Sequence, residues 1–168
     1  SVLRALGVTV ADEGTRLTVA GVGPDGLSAP VEPLDLGNSG TAMRLLMGLL
    51  AAQPFDSTLT GDASLRQRPM ERVAEPLRAM GATITLDHGR APLRIHGTRP
   101  LQPVDYTLSV ASAQLKSAIL LAGLWADGLT TARSPGPSRD HTERMLQTMG
   151  ILMTQDSASR VAMTGPAT

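Results

Sequence analysis

The sequence repeats itself, and this internal repeat limits the folds that the chain can adopt. Three segments, residues 3–8, 77–82 and 146–151, share a pattern typical of the last turn of an amphipathic helix closed by a glycine. A strand with alternating polar and apolar residues follows each segment, and a second short strand then ends at another glycine. The chain is therefore built from one structural unit that is used several times.

The preceding half of the unit recurs as well. Residues 40–46 and 112–118 lie 72 positions apart, and both open apolar helices. Each helix is followed by a short strand, a basic loop and the helix that ends in glycine, so the order is strand, helix, strand, helix, strand, strand. A unit of about 70 residues is longer than the repeats of solenoids and propellers. It predicts an α+β design with helices packed on one face of a sheet.

The repeat also predicts how the chain is organised. We expect residues 1–34 to be the end of a first unit, residues 35–105 to form the second unit and residues 106–168 the third. The first residues already have the pattern of the unit's last helix, and no methionine precedes them. We therefore expect a single incomplete domain that was taken from a longer protein.

Composition excludes several classes of function. The 15 basic and 15 acidic side chains cancel, and only three residues are aromatic, so we expect no binding of nucleic acid. The absence of cysteine removes disulfides and thiol catalysis, and the three histidines lack the spacing of metal ligands. No apolar run approaches the ~20 residues that cross a bilayer, and no signal-like segment is present. We therefore expect no membrane contact, no metal and a cytoplasmic protein.

Arginine supplies almost all of the positive charge, since Lys116 is the only lysine. The planar guanidinium group binds phosphate and carboxylate with two parallel hydrogen bonds, whereas lysine acts as a point charge. The base composition of a genome explains the same bias equally well. Whether the arginines bind anions or only reflect the genome's base composition has to be judged from their positions in the sequence.

Two predicted helix starts are candidate anion sites. In residues 37–44, a loop of Gly, Asn and Ser leads directly into a predicted helix. The first amide groups of such a helix have no partner within the helix and lie at the positive end of its dipole. The alternative is that Ser39 is a simple N-cap, and the sequence alone favours this interpretation. Ser112, Ala113 and Gln114 repeat the arrangement at a second helix start, where serine and glutamine offer polar side chains.

Basic loops precede the other two helices. Arg68 stands just before a helix that we expect Pro69 to open, although a cation at this end opposes the helix dipole. An anionic ligand would explain the cation, and a solvated loop is the alternative. In the third unit, the spacing of Asp140 and Glu143 predicts a capping box at the start of the helix.

Taken together, these motifs resemble the 5-enolpyruvylshikimate-3-phosphate synthase family. The matching segments, in chain order, are residues 37–44 (GNSGTAMR), 68–70 (RPM), 112–118 (SAQLKSA) and 138–146 (SRDHTERML). The resemblance implies an α+β, enolpyruvyl transferase-like protein of two domains, each an α–β prism or inside-out barrel of repeated βαββαβ units. It also implies that the second domain is absent from this chain.

The implied reaction carries the enolpyruvyl group of phosphoenolpyruvate to the 5-hydroxyl of shikimate-3-phosphate, through a tetrahedral intermediate, and releases phosphate. This is a step of the shikimate pathway to chorismate and the aromatic amino acids, it needs no cofactor, and it is the target of glyphosate. Both substrates are polyanions, which is consistent with arginine in place of lysine.

The resemblance assigns phosphoenolpyruvate binding to Gly40, Arg68 and Gln114, and shikimate-3-phosphate binding to Ser112, Ala113, Gln114 and Arg139. Ala113 has no hydroxyl, so only its backbone can make a polar contact. Gly40 stands where glyphosate-tolerant members carry alanine. The catalytic acid and base are expected outside this chain, so we predict a substrate half-site that is inactive alone.

Two other interpretations stay open. The sister enolpyruvyl transferase, which acts on UDP-N-acetylglucosamine, shares the repeat but normally carries a cysteine in a phosphoenolpyruvate loop, and the motifs after Ser112 fit the shikimate enzyme better. A non-catalytic repeat module would have the same fold without selective affinity for anions. A ligand titration separates the module from the half-site.

Overall fold

A computed structural model describes residues 2–157 and 159–166 of the chain. The first segment is small and largely exposed. Its elements are the short helix α1 (Val2–Ala5) and the antiparallel strands β1 (Val10–Asp12) and β2 (Leu17–Val19).

The second segment forms a four-stranded sheet with two helices. Its elements in chain order are β3 (Leu34–Asp35), α2 (Gly40–Ala51), β4 (Asp56–Thr60), α3 (Glu71–Ala79), β5 (Thr83–Asp87) and β6 (Arg90–His96), with a 3₁₀ turn at Leu65–Gln67. The strands lie in the order β3-β4-β6-β5. β3 is parallel to β4, and the other two pairs are antiparallel.

The third segment repeats this connectivity. Its elements are β7 (Asp105–Thr107), α4 (Ala113–Gly123), β8 (Gly128–Arg133), α5 (His141–Thr148), β9 (Met153–Ser157) and β10 (Arg160–Gly165). The strand order β7-β8-β10-β9, again with one parallel pair, matches that of the second segment. The element order predicted from the repeat is therefore present twice. The βαββαβ order is wrong for both segments, because each pair of consecutive strands follows the second helix.

The repeated glycines have two different physical roles. Gly81 and Gly150, which follow α3 and α5, adopt φ angles of +101° and +90°, as the predicted left-handed caps require. Gly97 and Gly165 stand at the ends of the last strands, where a Cβ would lie 1.9 Å from the Gln53 carbonyl oxygen and 2.4 Å from that of Gly123. Only glycine lets each strand end approach so closely the end of the first helix of its own segment, α2 or α4.

The apolar helices α2 and α4 pack against each other in the core. Most of α4 from Leu115 to Gly123 is buried, as expected for a helix that is apolar on nearly all faces. A Cβ on Gly48 of α2 would lie 2.2 Å from the Ala118 carbonyl oxygen of α4. This close approach brings the N-termini of the two helices side by side.

The start of α3 differs from the prediction. The helix begins at Glu71 and not at Pro69, with Met70 as its N-cap, and the Met70 amide donates to the Gly89 carbonyl at 2.9 Å. In the described part of the chain, no helix combines the length and the apolar character that crossing a membrane requires.

Candidate functional site

The paired starts of α2 and α4 form the centre of the candidate site. Both are capped by serine: Ser39 Oγ accepts from the Ala42 amide at 3.2 Å, and Ser112 Oγ accepts from the Leu115 amide at 3.3 Å. The N-cap interpretation of Ser39 is therefore confirmed. A cap uses the hydroxyl oxygen as an acceptor, so each O–H can still donate to a ligand.

Gln114 connects the two helix starts. Its Nε2 donates to Thr41 Oγ1 at 2.7 Å, and its Oε1 accepts from Arg44 Nη1 at 2.9 Å. These contacts determine which end of the amide faces which residue. The sequence alone indicates no role for Thr41 or Arg44, although both belong to the motif at residues 37–44 and lie one and four positions after Gly40.

Two guanidinium groups lie directly over the start of α2. Gly40 is buried, and a Cβ on it would lie 2.8 Å from Arg68 Nη1 and 3.0 Å from Arg44 Nη1. Burial lowers the pKa of Arg44, and the nearby charge of Arg68 lowers it further. Two cations beside the positive end of a helix dipole repel each other and the dipole, so the arrangement favours binding of an anion.

A second candidate subsite adjoins the start of α4. It is an open pocket of about 580 Å³, lined by Ala111, Ser112, Ala113, Gln114, Pro137, Ser138 and Arg139. Arg139 has no hydrogen bond or ion pair with any other residue that the structure describes. Ser138, which the sequence analysis did not assign, has a buried Oγ without a hydrogen-bond partner among the described residues. A free cation and an unpaired hydroxyl in one pocket suit an anionic, hydroxylated ligand.

The structure thus brings the sequence-predicted residues together in two adjacent groups. Gly40, Arg68 and Gln114 surround the start of α2, where Arg44 Nη1 contacts both Gln114 Oε1 and the Gly40 carbonyl. The residues predicted to bind the second substrate line the neighbouring pocket. Gln114 belongs to both groups, as the sequence analysis expected.

The predicted capping box of α5 is wrong. Asp140 makes no capping hydrogen bond and instead accepts from Arg144 Nε at 2.9 Å, an interaction that lowers the pKa of Asp140. Glu143 points inward, where its Oε1 lies 2.5 Å from Lys116 Nζ. Both side chains are buried, with 2% and 5% of their surface exposed. The buried ammonium group of α4 attracts Glu143 more strongly than the helix start does.

A second polar contact also connects α4 and α5. Ser117 Oγ lies 2.7 Å from Thr142 Oγ1, next to the Lys116–Glu143 pair. Both contacts join the beginnings of α4 and α5, close in sequence to the segments that line the 580 Å³ pocket. The described residues contain no group of three or more histidine, cysteine, aspartate or glutamate side chains that could hold a metal ion.

Comparison with known proteins gives concordant matches. The family model described as "EPSP synthase (3-phosphoshikimate 1-carboxyvinyltransferase)" matches residues 1–168. A 3-phosphoshikimate 1-carboxyvinyltransferase of Halorhodospira halophila is 61% identical over 160 residues, which are 94% of this chain and 36% of the relative. The enzyme of the same name from Acidithiobacillus ferrooxidans is 63% identical over 149 residues, or 88% of this chain and 34% of the relative.

Solved structures agree with these relatives. The structure titled "EPSP synthase from Acinetobacter baumannii" superposes with a TM-score of 0.95 at 48% identity. The match covers 99% of this chain and 38% of that one. The chain therefore spans about a third of the length of the curated relatives that it matches.

Proposed function

The chain belongs to the EPSP synthase (3-phosphoshikimate 1-carboxyvinyltransferase) family, and on this basis we propose that it forms a substrate-binding half-site of such an enzyme. The enzyme would transfer the enolpyruvyl group of phosphoenolpyruvate to the 5-hydroxyl of shikimate-3-phosphate and release phosphate. The observation that carries the proposal is the convergence of Arg44, Arg68 and Gln114 at the paired helix starts. The pocket beside them holds Arg139, which has no side-chain partner among the described residues.

Phosphoenolpyruvate would bind at the start of α2. The fork of Arg68 suits its phosphate, and Gln114 offers polar contact from the neighbouring helix. The Gly40 and Ala42 amides already donate to the Asn38 carbonyl and to Ser39 Oγ, both at 3.2 Å, so the anion would be bound here by the guanidinium groups of Arg68 and Arg44, for which the absence of a side chain on Gly40 leaves room. Two guanidinium groups lie at this point, and none of the described carboxylates is within ion-pair distance of either, which supports binding of a ligand with several negative charges.

Shikimate-3-phosphate would occupy the pocket of about 580 Å³. Arg139 would bind its phosphate, Ser112 and Gln114 would contact its hydroxyl groups, and Ala113 would contribute backbone contact alone. The unpaired Oγ of Ser138 supports the same assignment. Gln114 would then lie between the two substrates and orient one against the other.

In this account the chain binds and orients both substrates, while acid–base chemistry comes from elsewhere in the full-length enzyme. The cation of Arg68 would stabilise charge on the phosphate as it leaves. The 5-hydroxyl must lose a proton and the methylene carbon of phosphoenolpyruvate must gain one, and no group in the two candidate subsites is assigned to either transfer. We therefore expect no turnover from the 168-residue chain alone.

The proposed architecture is a prism of three repeated units, bounded at residues 1–34, 35–105 and 106–168, that faces a second domain across a cleft in a cytoplasmic enzyme. The shared connectivity of the two four-stranded sheets supports the repeat. The 38% coverage of the Acinetobacter baumannii chain supports a second domain. The family match favours this reaction over transfer to UDP-N-acetylglucosamine and over a non-catalytic module.

Replacing Arg68 by lysine in the full-length enzyme tests the phosphoenolpyruvate subsite. Arg68→Lys keeps the charge but loses the planar fork, so we expect KM for phosphoenolpyruvate to rise roughly tenfold, which is about 1.4 kcal/mol. KM for shikimate-3-phosphate should change less than twofold. Steady-state kinetics with each substrate varied in turn measures both values.

Arg66→Lys is the matched control for this experiment. Arg66 lies two positions away in the 3₁₀ turn, is exposed, and contacts neither helix start in the described part of the chain. Both KM values of Arg66→Lys should match those of the parent enzyme. An equal rise of both KM values in Arg68→Lys would refute the assigned role of Arg68.

A further inference from the structure

Arg68 is held in place by a chain of side-chain hydrogen bonds. Its Nη2 donates to Asn38 Oδ1, and Nδ2 of the same amide donates to Asp62 Oδ2 at 2.8 Å. An asparagine side chain has one accepting end and one donating end. Because the donating end is bound to Asp62, the accepting end faces Arg68.

Asp62 is itself fixed by the backbone around it. Its Oδ1 accepts from the Leu65 amide at 2.7 Å, and its own amide donates to the Gly37 carbonyl at 2.9 Å. A Cβ on Gly61 would lie 2.5 Å from that same carbonyl oxygen, so the two segments lie in close contact. Hydrogen bonds from Leu65 and Asn38 lower the pKa of Asp62, which keeps both of its oxygens available as acceptors at neutral pH.

From this geometry we propose that Asp62 is a positioning residue, which acts through Asn38 to hold the Arg68 guanidinium over the start of α2. The inference rests on the proposed binding of phosphoenolpyruvate by Arg68. Asp62 would touch neither substrate. Its effect would be to fix the orientation of the Asn38 amide and, through it, the direction of the guanidinium fork.

The intervening amide has a clear physical advantage over a direct ion pair. A carboxylate against Arg68 would occupy the fork and compete with a phosphate group. The neutral Asn38 oxygen takes only one of the guanidinium's donors, so Nη1, which faces Gly40, stays available to a ligand. No ion pair of Arg68 occurs within the part of the chain that the structure describes, in agreement with this arrangement.

The test uses Asp62→Asn in the full-length enzyme. The Leu65 amide and Asn38 Nδ2 donate to different oxygens of Asp62, and asparagine replaces one of these oxygens by an NH₂ group, so only one of the two positions keeps an acceptor. We expect KM for phosphoenolpyruvate to rise about five- to tenfold, while kcat and KM for shikimate-3-phosphate stay within twofold of the parent values. A purely structural role would lower thermal stability without this selective change in one KM.

Asp35→Asn is the matched control, because it makes the same substitution in the neighbouring segment. Among the described residues, Asp35 Oδ1 accepts only from the Gly37 amide, at 2.9 Å, and asparagine can keep that hydrogen bond. Its kinetic constants should equal those of the parent enzyme. A selective rise of the phosphoenolpyruvate KM in Asp35→Asn as well would show that any disturbance of this loop suffices, and would overturn the proposal.

A double-mutant cycle tests whether Asp62 acts through Asn38. In an Asn38→Ala background the connection to Arg68 is already broken, so Asp62→Asn should raise the phosphoenolpyruvate KM by less than twofold. An undiminished effect in that background would contradict the relay. If Arg68→Lys leaves phosphoenolpyruvate binding intact, the proposed function of Arg68 fails; if Arg68→Lys weakens it and Asp62→Asn does not, only the positioning inference fails.

Discussion

Glu143→Leu should destabilise the protein by about 3–5 kcal/mol, the largest loss that we expect from any single substitution considered. The substitution removes the carboxylate partner of Lys116 in the interior, where only 5% of the lysine side chain is exposed. Desolvation of an unpaired charge costs several kcal/mol, and leucine offers Lys116 no polar contact. Urea denaturation of the variant and its parent measures the difference in the free energy of unfolding.

The double variant Lys116→Met with Glu143→Leu separates the unpaired charge from simple loss of packing. Removal of both buried charges should recover most of the lost stability, since apolar replacements of a buried ion pair are often neutral. Arg144→Gln is the matched control, because it breaks the exposed pair of Asp140 and Arg144 on the same helix and should cost under about 1 kcal/mol. A fully stable Glu143→Leu variant would contradict the burial of the pair.

Gly40→Ala should raise KM for phosphoenolpyruvate by roughly 30-fold, or about 2 kcal/mol, with little loss of stability. The new methyl group would lie 2.8 Å from Arg68 Nη1 and 3.0 Å from Arg44 Nη1. Both are the ends of flexible side chains, so they can move aside and the fold survives. We therefore expect the substitution to displace the two guanidinium groups and so to weaken the binding of the anion that they would hold.

Glyphosate should be affected more strongly than phosphoenolpyruvate by Gly40→Ala, because it is the longer molecule and has less room beside a new methyl group. The measurements are KM for phosphoenolpyruvate, the inhibition constant of glyphosate and the melting temperature of the full-length enzyme. Gly136→Ala is the control, since a Cβ there would meet no atom within 4 Å. Unchanged inhibition by glyphosate in Gly40→Ala would remove Gly40 from the site.

Features that depend on local chemistry could be predicted from the sequence. The helix starts at Gly40 and Ala113, each after a serine cap, follow from residues that are adjacent in the chain. The positive φ of Gly81 follows from the repeated pattern that ends a helix in glycine. The internal repeat then gave the order of the elements, because it showed the same local signals twice.

Features that depend on packing between distant residues could not be predicted in the same way. The spacing of Asp140 and Glu143 favoured a capping box, but the buried Lys116 of another helix binds Glu143. The hydrogen bond between Arg44 and Gln114 joins residues 70 positions apart, and nothing local indicates it. In both cases the two residues meet because α4 packs against a neighbouring helix. This packing cannot be recognised in any short segment of the sequence.

The central claim, that the start of α4 and the loop before α5 bind shikimate-3-phosphate, is tested most directly by NMR. Amide spectra of this 168-residue chain would be recorded during titration with shikimate-3-phosphate. The account predicts dispersed signals and saturable shifts that cluster at Ser112, Ala113, Gln114 and Arg139. Dispersed signals that do not respond to shikimate-3-phosphate would contradict it.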